Sequence, residues 1–493
     1  MNYLLILLFI PIAIITLLLI SKKHTWKIAA VGSGIQLLYT IFLAVVYSTI
    51  PNRGIFTGES VAWFKPLNIM SSYQLDGLSM LMILLTSLVV FAGVLLSRSI
   101  EWRVKEFFVL YMLLALGAFG YFVSTDLFAL FFFLELAIVP KFLLIGMYGS
   151  GEKEKNAMKL ALMLSAGSAL VFVGLIAFVF LAYAQTGVMS WNLTQLANVH
   201  LPVAYQGPLY ILLFTGFGIF TAMFPFHSWA PDGHSSAPTA ASMFLAGVSM
   251  KLGGYGCWRV ATVLLPEGAA QYSWIFVILG VAGIIYGAYA TLQQKDIKYM
   301  NAFSSVSHCG LVIFGIAVFT TVSVQGAMLQ MISHGMMTAL FFGVIGMIYS
   351  RLHTRNMEQM GGLLHRMPFI ATALILVGLC SLGLPGMSSF VAEMTVFVGA
   401  WERMEIGYRI ATILACSSIV ITSVYIMRAI GMVTFGEEHS SLEQHSLTKQ
   451  QLPGEVIADA GGLEKTVVVL VMACIFLMGL APMWVKFLLT LSN

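Results

Sequence analysis

The chain has 493 residues, of which 59% are hydrophobic and only 9% charged, with a formal net charge of +4 at neutral pH. Soluble domains carry about 25% charged residues, so this composition excludes a soluble enzyme domain and describes an integral membrane protein. The small positive balance gives no reason to expect a nucleic acid partner.

Nearly all of the chain lies in apolar runs long enough to cross a hydrocarbon core of about 30 Å as helix. The first run, Met1–Ile20, lacks the basic start and small-residue cleavage site of a signal peptide and reads as a span. Fourteen spans are predicted near residues 2–20, 27–49, 75–98, 106–124, 126–147, 157–184, 208–226, 238–263, 271–291, 299–319, 323–349, 368–399, 405–433 and 464–488. The longest polar stretch is 434–463. The five cysteines (Cys257, Cys309, Cys380, Cys416, Cys474) show no CxxC spacing and read as small packing residues.

Loops after odd-numbered spans, with their flanking turns, carry seventeen Lys and Arg. Those after even-numbered spans carry six: Arg53, Lys65, Arg259, Arg403, Arg409 and Lys486. The positive-inside rule then puts odd loops in the cytoplasm and both termini on the outer side.

Two spans are interrupted. Span 7 runs into Pro225 and HSWAPDGHSSAPT, and span 12 contains SLGLPGMSSF. Freed amides are tolerated at depth only inside protein or beside a wet cavity. Paired breaks point to inverted repeats with the conduction site beside them. The expected architecture is an all-α polytopic membrane domain over residues 1–493: N-terminal spans at 1–105, a first repeat at 106–263 (spans 4–8), a second at 271–433 (spans 9–13), and a final span at 464–488.

Ionisable residues within these runs are the candidate site. A charge at the bilayer centre costs about 2.5–3.5 kcal/mol. Glu135 follows three phenylalanines in span 5, where a carboxylate ionises only with a cation or water beside it. Lys251 is central in span 8, too deep to snorkel, and a buried lysine can exchange its proton. Gly253, Gly254 and Gly256 allow close helix approach there. His308 and His334 lie on adjacent spans and suit proton shuttling, with Ser304, Ser305, Ser307 and Ser333 able to hold water. Glu393, after the break in span 12, is either the last relay group or a helix-end carboxylate paired with Arg409 or Lys486. Lys141 follows Pro140 in span 5. His227, Trp229, Asp232 and His234 read as an interfacial turn in which Asp232 caps the next helix. No metal site is expected there. Asp296, Lys298, Arg351, His353 and Arg355 read as solvated loop residues that orient the chain.

The string HSWAPDGHSSAPTAASMFLAGVSMKLGGYG resembles the antiporter-like subunits of respiratory complex I. The resemblance continues through QQKDIKYMNAFSSVSHCG, RLHTRNMEQMGGL and LPGMSSFVAEMTVFVGAW, covering about 75–435. The HTR and GGL elements are similar to subunit M (chain 4). The resemblance implies a proton-pumping subunit of NADH–quinone oxidoreductase in the cell inner membrane. It implies no cofactor in this chain: NADH, FMN, iron–sulfur clusters and quinone would sit in partner subunits, with subunit L- and N-type neighbours alongside. It also places Glu135, Lys251, His308, His334 and Glu393 on a proton relay. The alternative is a D-type subunit of a multi-subunit Na+/H+ antiporter, or of a related ferredoxin-, deazaflavin- or hydrogenase-linked complex.

One position departs from the family. Its span 7 lysine is Phe220 here. Lys141 either supplies the missing charge from span 5, turned inward by Pro140, or snorkels to the cytoplasmic surface.

Overall fold

The structure, a computed structural model, describes residues 3–21, 23–49, 56–57, 60–436 and 458–489. Most of the expected polar stretch at 434–463 lies outside the described residues, as do both chain ends. Helices α1 (Tyr3–Ile20), α2 (Thr25–Thr49), α3 (Gly77–Leu96) and α4 (Val104–Val123) form the first four expected spans. Span 5 is built from α5 (Leu127–Leu136) and α6 (Ile138–Tyr148), and span 6 is α7 (Lys153–Thr186). A short α8 (Leu193–Leu196) precedes α9 (Val203–Phe220), which forms span 7 and is followed by α10 (Trp229–Ser236).

Span 8 alternates between α11 (Thr239–Phe244), a π segment (Leu245–Ser249), α12 (Met250–Gly256) and a second π segment (Cys257–Thr262). Then come α13 (Pro266–Leu292), α14 (Ile297–Val318), α15 (Thr321–Leu352) and the short α16 (Leu363–Arg366). Span 12 is split into α17 (Pro368–Leu382) and α18 (Ser388–Trp401), and α19 (Ile406–Ile430) follows. The last expected span is two helices, α20 (Gly462–Leu480) and α21 (Met483–Leu489). Among the described residues, twelve helices are long and apolar enough to cross a membrane, counting α5 and α6 together. Expected spans 8 and 12 are not among the twelve, because one alternates in helix type and the other is broken.

Aspartates start three of the helices. Asp76 accepts from the Ser79 N–H at 2.8 Å, Asp126 from Phe128 at 2.9 Å, and Asp296 from Lys298 at 2.7 Å. Each satisfies amides that a helix start leaves orphaned. Helices α3, α14 and α15 are buried almost all round and form the centre of the bundle, whereas α1, α2 and α20 keep most of their surface exposed. Apolar surface on such outer helices is what a lipid-facing shell presents.

Two small antiparallel pairs accompany the helical bundle: β1 (Phe56–Thr57) pairs with β4 (Gln74–Leu75), and β2 (Val61–Phe64) with β3 (Ile69–Ser71). Two local readings are corrected. The linker after span 7 is no interfacial turn, since α10 forms there with Trp229 and His234 each only 1% exposed. Asp232 caps no following helix; its carboxylate pairs with Lys159 at 2.7 Å and accepts from the Tyr299 hydroxyl at 3.3 Å. A basic residue one helix away competes better for this carboxylate than amides whose helix begins after Pro238.

Candidate functional site: a buried chain of ionisable groups

Lys251 sits between the two π segments, within α12 and fully buried. Such one-turn widenings shift the helix face and occur often at functional sites. The Lys251 ammonium donates to the Ala246 carbonyl and lies 2.8 Å from Nδ1 of His334. The helix can sit this deep because Gly253 and Gly256 press against Phe217 and Thr221 of the span 7 region, where any Cβ would collide.

His334 (α15) and His308 (α14) stand with ring centroids 5.3 Å apart. His308 Nδ1 is 3.3 Å from Glu393 Oε1 and 3.3 Å from the Gln330 amide nitrogen, and its Nε2 is 3.5 Å from the Ser381 hydroxyl. Glu393 lies inside α18, 9% exposed. Its other carboxylate oxygen rests against Gly383, a residue with φ of +79° in the break of span 12. Only glycine takes that backbone easily, and a side chain there would displace the carboxylate. Four helices therefore bring Lys251, His334, His308 and Glu393 into one buried row, with a 5.3 Å step between the two imidazole rings. A water-sized cavity of about 20 Å³ beside His308 and Glu393 is lined by Ser307, Ser418 and Thr422, enough for one water.

The helix-end reading of Glu393 does not survive in its Arg409 form: Arg409 lies over the Trp401 ring at 5.3 Å. The side chain of Lys486 lies outside the described residues. The serines divide. Ser333 bonds to Ser388 and Ser389 at 2.7 and 3.1 Å, pinning α15 to the break in span 12. Ser304, Ser305 and Ser307 donate to backbone carbonyls.

Glu135 and Lys141 form a separate pair. Span 5 is jointed between them: the Ala137 N–H turns to Leu134 O at 3.3 Å, and Pro140 has no N–H to continue the ladder. Lys141 is 1% exposed and its ammonium has no hydrogen-bond partner, nor does Oε1 of Glu135. The surface-snorkelling alternative for Lys141 is thereby corrected. No hydrogen bond joins the Lys141 ammonium to Glu135, in keeping with a six-residue separation along the span. Phe220 is buried, 1% exposed, at the end of α9.

Sequence reasoning missed four members of this polar interior. His234 is buried with both ring nitrogens unpartnered. Lys298, read as a solvated loop residue, is 9% exposed and donates to Ala237 O. Asp76 and Arg259 form a buried ion pair between the start of α3 and the second π segment. Each lies at the edge of an apolar run, where terminus and interior look alike, so the sequence did not set them apart. Arg351 and Arg355 are likewise structural: Arg351 grips Glu464 through two bonds of 3.0 and 2.7 Å, and Arg355 bonds to Ser235 O at 2.8 Å.

A jointed, broken-helix membrane bundle with a buried Lys–His–His–Glu series defines a class: antiporter-like ion-translocating membrane proteins. The chain belongs to the NADH:quinone oxidoreductase/Mrp antiporter transmembrane family, whose profile matches residues 124–422. It is 34% identical to NAD(P)H-quinone oxidoreductase chain 4 2 of Microcystis aeruginosa, over 85% of this chain and 76% of that protein. It is 38% identical to NADH-quinone oxidoreductase subunit M of Pseudomonas aeruginosa, over 77% and 75%. Its fold is similar to a chain of respiratory complex I from Thermus thermophilus with bound NADH (TM-score 0.85, 24% identity, 99% of this chain and 100% of that one). A chain of the Mrp complex from Dietzia is also similar (TM-score 0.78, 20% identity, 99% and 94%).

Proposed function

We propose that this chain is a proton-translocating membrane subunit of a complex I-type NADH–quinone oxidoreductase, corresponding to subunit M or chain 4. The observation that carries this reading is the buried row Lys251, His334, His308 and Glu393, joined to membership of a family whose named relatives are quinone oxidoreductase subunits. In this reading Glu135 and Lys141 are the charge pair that responds to redox events in partner subunits, with Lys141 replacing the family lysine absent at Phe220. A shift there alters proton occupancy at Lys251. The proton then passes His334 and His308 to Glu393 and leaves on the outer side. Carrying one charge against 100 mV requires about 2.3 kcal/mol, which the redox partners supply.

The reading extends to a fourteen-span bundle of two inverted repeats, with termini on the outer side of the cell inner membrane. Subunit L- and N-type neighbours would flank it, and the partner subunits would hold NADH, FMN, iron–sulfur clusters and quinone. The similar fold in the Mrp complex favours a second reading, a cation/proton antiporter subunit. Glu135→Gln decides on the central claim: the assembled complex should lose quinone reductase and pumping together. Normal pumping in that variant would refute the role of Glu135. Pumping driven by a sodium gradient without any quinone would select the antiporter reading.

A further inference from the structure

Where α14 ends and α15 begins, the bundle holds a cavity of about 510 Å³ that no group of the relay lines. Small-molecule sites commonly occupy about 300–1,000 Å³. The cavity lies between α3, the second π segment of span 8, α15 and α21. Leu78, Val324, Met328 and Leu489 give it an apolar wall, and all four are buried. Arg259 and Gln325 bring polar groups to the same space.

A guanidinium carries five N–H donors in a planar fork. The salt bridge to Asp76 engages one nitrogen of Arg259, Nη2, and among the described residues Asp76 is its one polar partner. Asp76 is held independently, since its Oδ1 accepts from the Ser79 N–H at 2.8 Å. The remaining donors of Arg259 are thus free for an anion, and arginine forks match phosphate oxygens. The residues lining the cavity include no acidic side chain that could receive an ammonium. The site therefore selects for a ligand with a negative head and an apolar body. Its walls are membrane spans, so that ligand comes from the bilayer. Phe319 shapes the entrance. It ends α14 with φ of +59°, a backbone that a bulky aromatic takes only where its surroundings impose it, and such residues gather at ligand clamps. Its ring stands 6.5 Å from that of Trp258, and both line the cavity.

We propose that this cavity binds an anionic phospholipid, with the phosphate on the guanidinium of Arg259 and one acyl chain along Leu78, Val324 and Met328. Bound there, the lipid braces the end of span 8, the span that carries Lys251, against α15.

The test uses the purified, assembled complex and a phosphatidylglycerol with a photoreactive group on one acyl chain. After irradiation, peptide mass spectrometry should find label within residues 319–328. Excess unlabelled phosphatidylglycerol should lower that labelling about tenfold more than the same excess of phosphatidylcholine does. Met328→Trp fills the apolar end and should lower it about tenfold, with labelling elsewhere in the complex unchanged. Arg259→Lys keeps a cation beside Asp76 but gives up the fork, and should narrow the preference for phosphatidylglycerol. No label at 319–328, equal competition by the two lipids, or full labelling in assembled Met328→Trp overturns the site. An unchanged preference in Arg259→Lys overturns the guanidinium as the seat of the phosphate. Competition by oleate as strong as that by phosphatidylglycerol gives the seat to a fatty-acid carboxylate and overturns the phospholipid. The competition arms use the wild-type complex and decide the matter even where a variant fails to assemble.

Discussion

Lys141 is held at full depth with no hydrogen-bond partner for its ammonium. An uncompensated buried cation is expensive, so its ordinary partner is the nearby carboxylate of Glu135 or water between them. We expect Lys141→Ala to reduce proton pumping in reconstituted complex while leaving assembly intact. Adding Phe220→Lys to that variant should recover pumping, because it restores the cation to the position other family members use; proton uptake into vesicles measures both. The two fates of Lys141 were undecided in the sequence, since an ideal helix leaves it two turns from the surface. What decided between them was the burial of Lys141 beside the joint at Ala137 and Pro140; Pro140 marked the joint in the sequence, but not which way it turns the side chain. Arg259 is the opposite case. Its pairing with Asp76 joins positions far apart in the chain, so nothing local marked it. Arg259→Ala strands a buried carboxylate and should cost about 3–5 kcal/mol, seen as a lower thermal midpoint of the purified complex.

At the level of elements, span 8 owes its depth to two glycines and its register to two π segments. The glycines were readable as close-approach residues, and Gly253 and Gly256 meet Phe217 and Thr221 as such residues do. The π segments were not readable: their wider turns answer to packing and leave no compositional mark. Gly253→Ala should overpack the contact with α9 and cost about 1–3 kcal/mol. Thermal unfolding of the complex should report it together with loss of activity, as the same contact sets the height of Lys251. Span 12 was legible for a simpler reason. Gly383 and Gly386 take positive φ, at +79° and +93°, and flank a proline, so the break is written in residue types that permit it. The helical α10 was missed because its sequence is rich in Pro, Gly and Ser, composition that favours turns in water; buried among apolar helices, its backbone satisfies its own hydrogen bonds instead.

For the whole molecule, the long helices fall within a few residues of the expected spans, since apolar length is a strong signal in this solvent. The small strands between α2 and α3 were not legible, being short and lying between two dominant spans. They do more than fill a loop. Asp126 accepts from the Met70 N–H at 3.0 Å while capping α5, and the Thr125 N–H bonds to Ser72 O at 3.0 Å. The Trp191 ring N–H reaches Leu67 O at 3.0 Å, and the Leu127 N–H reaches Trp191 O at 2.8 Å. Asp126→Ala should therefore cost about 0.5–2 kcal/mol. Hydrogen exchange should speed up over residues 60–75 and leave α14 unchanged.

Span 5 is thus tied down at one end by the strands. At its other end the Tyr148 hydroxyl bonds to Arg103 O at 2.9 Å. A rod anchored at both tips and jointed in the middle cannot slide; it can only bow. Glu135 and Lys141 sit on either side of that joint, so a change of angle there would alter the gap between two ionisable groups.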